Sequence, residues 1–376
     1  MCGISLYCSL DRHHDSELQK SLKSMKHRGP DFTGKKLFDH KSYYIGMGHN
    51  RLSIIDLDSA ANQPMVKDDI ILIFNGEIYN YKNLKNECSE KFQTSSDTEV
   101  IIEIYKKFGT KGFSMLNGMF AFAIFDINKS KLFFVRDSFG IKPLYYFKSK
   151  NNFFVSSEIK GIHEYLGGMQ KVSKDDVFEF LNMGYLNEPS TGYEDIKKIK
   201  PGWYIEFDLT KKTTNEYSFF KEVNYLTKKT LEQKIAKSVN EQLNADVNLG
   251  TFFSGGADSS LIANYAKESS LLFAKYDKDR SADLDNKFSK DIANFLEKDL
   301  LVAYLCSENF TSDQILDNFK LTAKHCEELL ADYTFWSTYK LSKIARNNGF
   351  IVMLSGMGAD EIFAGYPRYL ITKYHY

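Results

Sequence analysis

The second half of the chain alternates helix-like and strand-like segments, and this order is the strongest constraint on its fold. Helical periodicity covers 231–243, 259–268, 286–298, 312–325 and 333–347. Between these segments lie apolar runs that are typical of strands: VNLGTFF, LLFAKYD, LLVAYLC and FIVMLSG. Such alternation predicts an α/β doubly wound parallel sheet with helices on both faces. Ligands of these sheets bind beyond the carboxyl ends of the strands, so we expect a site there.

The first half of the chain has a different, β-rich pattern. Short apolar runs between residues 43 and 158 predict strands, and DINKSK between two of them predicts the turn of a hairpin. Helices are predicted over 15–25 and 97–108. Turn residues then concentrate over 187–218, where we place the connection to the second half. Sheets faced by helices are therefore the expected architecture of this half.

Composition narrows the domain count, the partners and the location. A length of 376 residues suits two domains, which we predict at 1–205 and 206–376. The 49 basic and 49 acidic residues cancel, so no overall field attracts nucleic acid or an anionic membrane. The five cysteines form no CxxC pair and no dense disulfide framework. With neither a signal region nor a membrane span in the sequence, we expect a cytoplasmic protein; a homodimer is left open.

Two glycine-rich loops follow predicted strands of the second half. In TFFSGGADSS, glycines let backbone amides point inward, hydroxyls add donors and a helix N-terminus adds positive potential. No Walker-type Gly-Lys-Ser/Thr pair is present. The second loop is LSGMGADEIFAGY at 354–366. A glycine turn with a serine N-cap would explain one such loop alone, whereas two at one sheet edge favour a nucleotide site.

The loops supply the candidate ligands of that site. The candidates for ATP and pyrophosphate binding are Ser254, Gly255, Gly256, Asp258, Ser259, Ser260, Ser355 and Gly356. Asp258 and Asp360 are the candidate ligands of a Mg²⁺ ion that bridges phosphate oxygens.

These motifs resemble known ones. SGGADSS is similar to the pyrophosphate loop of the ATP pyrophosphatase superfamily, and together with LSGMGADEIFAGY and the opening MCGIS it resembles the asparagine synthetase family. The resemblance implies a class II glutamine amidotransferase domain, which is an α+β N-terminal nucleophile hydrolase sandwich (αββα). It also implies that the following domain is of the ATP pyrophosphatase, adenine nucleotide α-hydrolase-like type.

The resemblance also implies roles for residues of the first half. Met1 is removed and Cys2 becomes the catalytic nucleophile, with its own α-amine as the adjacent base. The side chain of Asn75 and the N–H of Gly76 line the oxyanion hole. Glutamine binding falls to Arg51, Asn75, Glu77 and Asp97. Taken singly, these residues could equally be ion pairs and a hairpin turn. Jointly with a cysteine at position 2 they favour a glutaminase.

Other matching segments are interpreted as structural. HRGPD at 27–31, RDSFGIKPLYY at 136–146 and SSEIKG at 156–161 are assigned to fold and inter-domain packing, His27 and His49 to structure, and the remaining cysteines to the core.

The implied reaction has two halves. Glutamine is hydrolysed through a Cys2 thioester, and ATP adenylates a carboxylate that ammonia then converts to an amide, releasing AMP and pyrophosphate. Met357 stands where the family commonly has an acid, which favours a larger or less polar acceptor than aspartate, such as an amino-sugar acid. Family members continue well past the GADE segment, so we expect the synthetase half to be truncated. A glutaminase with a non-catalytic, nucleotide- or partner-binding second half is the alternative; a storage or scaffolding descendant and a β-lactam synthetase fit the retained Cys2 less well.

Overall fold

The computed structural model describes residues 1–88, 91–220, 230–275, 280–305, 311–332, 334–367 and 369. The chain divides into two compact units. The first comprises Met1–Leu226 together with His325–Asp332, and the second comprises Thr227–Lys324 and Tyr333–Tyr376. The boundary expected at 205/206 lies within a strand of the first unit, Trp203–Asp208.

The first unit contains two six-stranded antiparallel sheets. Its strands are β1 (Gly3–Ser9), β2 (Phe32–His40), β3 (Tyr43–Arg51), β4 (Met65–Lys67), β5 (Ile70–Ile78), β6 (Gly118–Asp126), β7 (Lys131–Arg136), β8 (Tyr145–Lys148), β9 (Asn152–Ser156), β10 (Ile196–Lys198), β11 (Trp203–Asp208) and β12 (Thr213–Ser218). Their orders are β10-β8-β9-β1-β3-β2 and β12-β11-β7-β6-β5-β4. Its helices are α1 (Asp15–Ser24), α2 (Tyr81–Glu87), α3 (Asp97–Phe108), α4 (Ile159–Leu166) and α5 (Lys174–Met183), with 3-10 turns at Lys26–Arg28, Ser59–Ala61 and Gly109–Met115.

Burial on both faces explains the apolar runs of these strands. On β5, Ile71 and Ile73 point into the core shared by the two sheets, where Ile4 of β1 also lies. The alternate residues Leu72 and Phe74 point to the opposite face, where α3 packs. Because successive side chains of a strand point to opposite faces, a strand covered on both sides is apolar at every position. The layers therefore run helix, sheet, sheet, helix, and the expected αββα sandwich is confirmed.

The second unit is built on a parallel sheet. Its elements are α6 (Leu231–Gln242), β13 (Leu249–Phe252), α7 (Ala257–Tyr265), β14 (Ser270–Lys275), α8 (Arg280–Phe295), β15 (Leu300–Tyr304), α9 (Ser312–Ala323), α10 (Thr334–Asn347), β16 (Val352–Leu354) and α11 (Ala359–Phe363). The strand order is β15-β14-β13-β16, and all pairs are parallel. Leu271 packs with Ala263 and Ala293 on one face, and Leu272 packs with Ala345 on the other. Helices on both faces confirm the doubly wound architecture.

Cysteines and membrane propensity complete the description. Cys8 is buried as expected, but Cys88 and Cys326 are only half-buried, and Cys306 lies outside the described residues. Burial, with the charge of Glu327 as a smaller cause, raises the pKa of the Cys326 thiol. Among the described residues, none of the helices has the length and apolar character needed to cross a membrane.

Candidate active sites

Cys2 immediately precedes β1, and its thiol is held by a neighbouring backbone. The Leu52 N–H donates to Cys2 Sγ at 3.4 Å, and the thiol faces the Leu52 carbonyl at 3.6 Å. Arg28 Nε donates to the Cys2 carbonyl oxygen at 2.8 Å. Leu52 follows the last residue of β3, whose pairing with β1 brings it to this position. Cys2 is therefore held through both its thiol and its main-chain carbonyl.

The charged surroundings of the thiol include a residue that sequence reasoning missed. Burial lowers the pKa of the Met1 amine to about 5 and raises that of the Cys2 thiol. Lys142, only 5% exposed, contributes a positive charge that lowers both pKa values. An amine that is neutral at pH 7 is in the protonation state a base requires. In this chain the amine belongs to Met1, so Cys2 offers its own amine only once Met1 has been removed.

Asn75 is a buried amide without a partner. It is 0% exposed, and neither its Nδ2 nor its Oδ1 has a hydrogen-bond partner. Buried polar groups in native proteins are nearly always bonded, so an orphaned amide is a feature that a ligand would explain. The next residue must be glycine, because a Cβ at Gly76 would lie 2.1 Å from the Met119 carbonyl oxygen on β6. The close approach of two strands thus sets the backbone beside this amide.

Two carboxyl groups lie at the end of β5. Glu77 and Asp97 are 5% and 4% exposed. Asp97 begins α3, where the Ser96 side chain caps the helix, and its Oδ2 accepts from the Ile78 N–H at 2.9 Å. Burial raises the pKa of Glu77 to about 7, with Lys142 opposing the shift and Asp97 adding to it. Burial also raises the pKa of Asp97 to about 6. Two adjacent buried acids form an environment that suits a ligand ammonium.

Arg51 makes local contacts in the structure. Its Nη1 donates to the Asp58 carbonyl at 2.8 Å and to Asn62 Oδ1 at 2.7 Å, and its Nη2 donates to the Asp56 carbonyl. These bonds use three of the five N–H donors of a guanidinium. Arg51 therefore orders the loop that follows β3, and binding of a substrate carboxylate through its other donors stays a prediction.

The raised pKa values of the two acids predict a pH dependence. If Glu77 and Asp97 bind the glutamine ammonium as carboxylates, their protonation below about pH 7 and about pH 6 removes that charge. We expect kcat/KM for glutamine to fall as the pH drops through this window, with most of the change in KM. Glutamate release measured across the window tests this. A Glu77→Gln variant should lose the part of this fall that lies near pH 7. An unchanged pH profile in that variant would contradict the role of Glu77.

The two glycine loops of the second unit meet at one sheet edge. β13 and β16 are parallel neighbours, paired at Thr251 and Leu354, so the segments after them emerge side by side. A Cβ at Gly356 would lie 3.0 Å from the Cβ of Asp258. The two loops therefore lie next to each other at this sheet edge, and a ligand site shared between them stays a prediction.

Glycine and serine residues shape the first loop. Gly255 has φ +79, and a Cβ there would lie 3.0 Å from the Ser289 backbone. Gly256 is the N-cap of α7 and offers no side chain to satisfy the helix N–H groups. Ser254 Oγ accepts from the Gly256 N–H at 3.2 Å and lies 3.0 Å from Ser259 Oγ. Ser260 Oγ is buried without a partner. A helix N-terminus with backbone donors and free hydroxyl capacity suits an anion.

The acids of these loops fit a metal that arrives with a nucleotide. Within the described part of the chain, no group of three or more His, Cys, Asp or Glu side chains is placed to hold a metal. Mg²⁺ needs only one or two protein carboxylates, because phosphates and water fill its remaining positions. Asp258 and Asp360, each in the first turn of the helix that follows one of the loops, match that donor set rather than a permanent metal site.

Comparison with known proteins identifies the family. Residues 1–218 match the model of a glutamine amidotransferase domain, and residues 230–375 match that of asparagine synthase. The chain is 32% identical over 407 residues to a putative glutamine-hydrolysing asparagine synthetase 2 of Methanocaldococcus jannaschii, a match that covers 98% of this chain and 76% of the relative. The chain belongs to the glutamine-hydrolysing asparagine synthetase family. The expected family and enzyme class, a glutamine-hydrolysing carbon–nitrogen ligase, are thereby confirmed.

The chain covers a smaller share of two other relatives. Asparagine synthetase 1 of Bacillus subtilis is 34% identical over 392 residues, with 98% of this chain and 59% of the relative covered. An amidase, chry2, of Gibberella zeae is 29% identical over 413 residues, with 98% and 60% covered. Among solved structures, the Bacillus subtilis glutamine phosphoribosylpyrophosphate amidotransferase with ADP and GMP has a TM-score of 0.43 and 14% identity, over 94% of this chain and 90% of that one. The chain thus spans about three-fifths of the Bacillus subtilis synthetase and of the Gibberella zeae amidase, and about three-quarters of the Methanocaldococcus jannaschii relative.

Proposed function

We propose that this protein is a glutamine-dependent amide ligase. Cys2 attacks the side-chain amide of glutamine, ammonia leaves, and water hydrolyses the Cys2 thioester to glutamate. In the second unit, the carboxylate attacks the α-phosphate of ATP to form its adenylate and release pyrophosphate, and ammonia then displaces AMP to form the amide.

The observation that carries the glutaminase half is the orphaned amide of Asn75. The charge on the oxygen of a tetrahedral intermediate needs donors that are already fixed in place. The Asn75 Nδ2 is such a donor, because it is buried and has no hydrogen-bond partner. The next residue is Gly76, where any side chain would clash with the Met119 carbonyl oxygen of the neighbouring strand. Glu77 follows on the same strand, and its charge acts on the N-terminal amine. The Glu77 carboxyl group and the N-terminal amine are thus electrostatically linked.

The ligase half rests on the paired loops. The N-terminus of α7 and the Ser254–Ser259 hydroxyl pair would bind the pyrophosphate portion of ATP, and Asp258 and Asp360 would hold Mg²⁺ against it. The metal would neutralise charge on the leaving pyrophosphate.

The acceptor is proposed to be a carboxylate other than aspartate. Met357 lies between Gly356 and Gly358, is 86% exposed and brings no charge to the loop. An apolar side chain here gives nothing to recognise the amino group of aspartate, and suits a bulkier acid such as an amino-sugar acid.

A single assay tests both halves. Purified protein is given ATP, ammonium chloride and a panel of carboxylates while pyrophosphate is measured, and glutamate release from glutamine is measured in parallel. Pyrophosphate with one acid identifies the acceptor. Glutamate release without pyrophosphate from any acid would contradict the ligase half and leave a glutaminase whose second unit binds a nucleotide or a partner.

Asp258→Asn is expected to weaken Mg²⁺-ATP binding about tenfold, because a neutral amide is a poorer Mg²⁺ ligand, without changing glutamate release. Isothermal titration with MgATP measures the affinity. Asp317→Asn on the exposed face of α9 is the matched control and should bind as the unaltered chain does. Equal affinities in the two variants would rule out the metal role of Asp258.

A further inference from the structure

The segment 325–332 belongs to the first unit, although in chain order it lies between α9 and α10 of the second. Glu328 anchors it: Tyr145 Oη donates to Glu328 Oε1 at 2.5 Å, and Lys198 Nζ donates to Oε2 at 2.7 Å. The Ala331 N–H donates to the Gly184 carbonyl at 2.9 Å. The second half of the sequence thus contributes a segment to the folded glutaminase unit.

Glu327 of this segment caps a helix of the first unit. α4 begins at Ile159, and the side chain of its N-cap residue makes no capping hydrogen bond. The N–H groups of Ile159 and Lys160 instead donate to Glu327 Oε2, the second at 3.3 Å. Lys160 Nζ lies 2.9 Å from Glu327 Oε1. Both oxygens of this carboxylate are therefore occupied as acceptors, in the position where a helix favours negative charge.

A line of ion pairs runs from this cap to the nucleophile. Lys160 Nζ lies 2.8 Å from Glu158 Oε2, and Arg28 Nη1 donates to Glu158 Oε1 at 3.0 Å. Arg28 Nε in turn donates to the Cys2 carbonyl at 2.8 Å. The side chains of Arg28 and Glu158 are only 7% and 3% exposed. The signs alternate along the series, so each charge is neutralised by the next.

Burial alone would raise the pKa of Glu158, but the bond from His27 and the charges of Arg28 and Lys160 lower it to about 2. The carboxylate that joins the two cations is therefore ionised throughout the working pH range.

We propose that Glu327 is a positioning residue for glutamine hydrolysis: through Lys160, Glu158 and Arg28 it fixes Cys2, so that the glutaminase depends on a segment supplied by the second half of the sequence. The proposal rests on the proposed glutaminase function. It also assigns a role to the HRGPD and SSEIKG motifs beyond packing, since Arg28 comes from the first and Glu158 and Lys160 come from the second.

Loss of Glu327 removes the negative charge at the end of the ion-pair series that is farthest from Cys2. Lys160 is then left with Glu158 as its acidic partner in the series and draws that carboxylate from Arg28, while the first turn of α4 loses its cap. Arg28 no longer holds one orientation, and the Cys2 carbonyl loses a fixed donor. A nucleophile displaced by about 1 Å can lose about 100-fold in rate, so a partial displacement should cost about tenfold. The loss should fall on kcat rather than on KM, because Glu327 does not touch glutamine.

The test compares Glu327→Gln with Glu328→Gln. In E327Q one amide N–H₂ must face either the Lys160 ammonium or the α4 N–H groups, which are themselves donors. In E328Q the amide oxygen can still accept from Lys198 while its N–H₂ donates to the Tyr145 hydroxyl, which can accept. The control therefore removes the same charge from the same segment while keeping its anchor.

Two readouts are used on each full-length variant. The first is kcat and KM for glutamate release. The second is the rate at which iodoacetamide alkylates Cys2, followed by mass spectrometry of the N-terminal peptide so that Cys88 and Cys326 do not interfere. We expect E327Q to lose about tenfold in kcat with KM unchanged and to show an altered Cys2 alkylation rate, and E328Q to match the unaltered chain in both.

Equal kcat and alkylation rates in E327Q and the unaltered chain would overturn the positioning role, and so would equal losses in E327Q and E328Q. If E327Q does not fold, Lys160→Gln breaks the same series one residue further on and is judged by the same outcomes. An unaltered chain that releases no glutamate overturns the proposed function instead, and the alkylation rates still decide the positioning of Cys2.

Discussion

The Cys2→Ala variant is expected to release no glutamate from glutamine while its ammonia-dependent amide synthesis is kept. The thiol is the attacking atom of the proposed glutaminase; alanine removes the sulfur that accepts from the Leu52 N–H and keeps the main-chain carbonyl that accepts from Arg28. Loss of a nucleophile lowers kcat by on the order of 10⁴-fold or more. Glutamate release and amide formation with ammonium chloride, measured on the same preparation, give the two activities separately.

Cys8→Ala is the matched control for this variant. Cys8 lies on the same strand, is 1% exposed, and burial raises the pKa of its thiol, so it is a core side chain without a reactive thiolate. Its removal should lower stability through a small cavity and leave both activities in place. Loss of both activities in Cys2→Ala, with an unchanged thermal melt, would contradict the division of labour between the two halves.

The secondary structure could be predicted wherever local signals marked both ends of an element. The predicted helix 97–108 is α3, because Ser96 caps its start and Gly109, with φ +58, ends it. The helix expected over 259–268 begins instead at Ala257 and ends at Tyr265. Its start is set by Gly256 at the end of a tight loop, a position that depends on the fit of Gly255 against Ser289 rather than on helical periodicity.

The assignment of the segment 325–332 could not be predicted from local patterns. It lies between two helices of the second unit, so periodicity places it with them. What binds it to the first unit is a set of ion pairs and hydrogen bonds between residues more than 100 positions apart, such as Glu328 with Lys198 and Glu327 with Ile159. Long-range charge pairing leaves no signature in either stretch when it is read alone.

The candidate site shows the same limit. Motifs nominated Cys2, Asn75 and Asp97, which lie just before β1, within β5 and at the start of α3. Lys142 lies in RDSFGIKPLYY, a segment that the sequence analysis assigns to fold and inter-domain packing rather than to a site. The structure buries it near the N-terminus, where desolvation lowers its own pKa and Glu77 raises it. Such a charge acquires its role only from tertiary burial.

Asn75→Ala is expected to lower kcat for glutamine hydrolysis by about 100- to 1,000-fold, the usual cost of removing one oxyanion-hole donor. KM for glutamine should change little, because the donor acts mainly on the charge that develops in the transition state. The variant should also be about as stable as the unaltered chain. Its amide makes no hydrogen bond in the fold, so the desolvation cost relieved by its removal, about 1–3 kcal/mol, offsets the small cavity left behind.

Asn50→Ala separates this effect from the loss of any buried amide. Asn50 is also 0% exposed, but its Nδ2 donates to the Leu22 carbonyl at 2.7 Å and its Oδ1 accepts from Thr33 Oγ1 at 2.8 Å. Its removal takes the side-chain donor from the carbonyl of the buried Leu22 and should lower the free energy of unfolding by about 1–3 kcal/mol. Asn75→Ala should therefore lose kcat while its thermal melt stays unchanged. Asn50→Ala should lose thermal stability first, with the smaller effect on kcat. A loss of stability in Asn75→Ala as large as in Asn50→Ala would mean that the Asn75 amide serves the fold, and the oxyanion role would have to be given up.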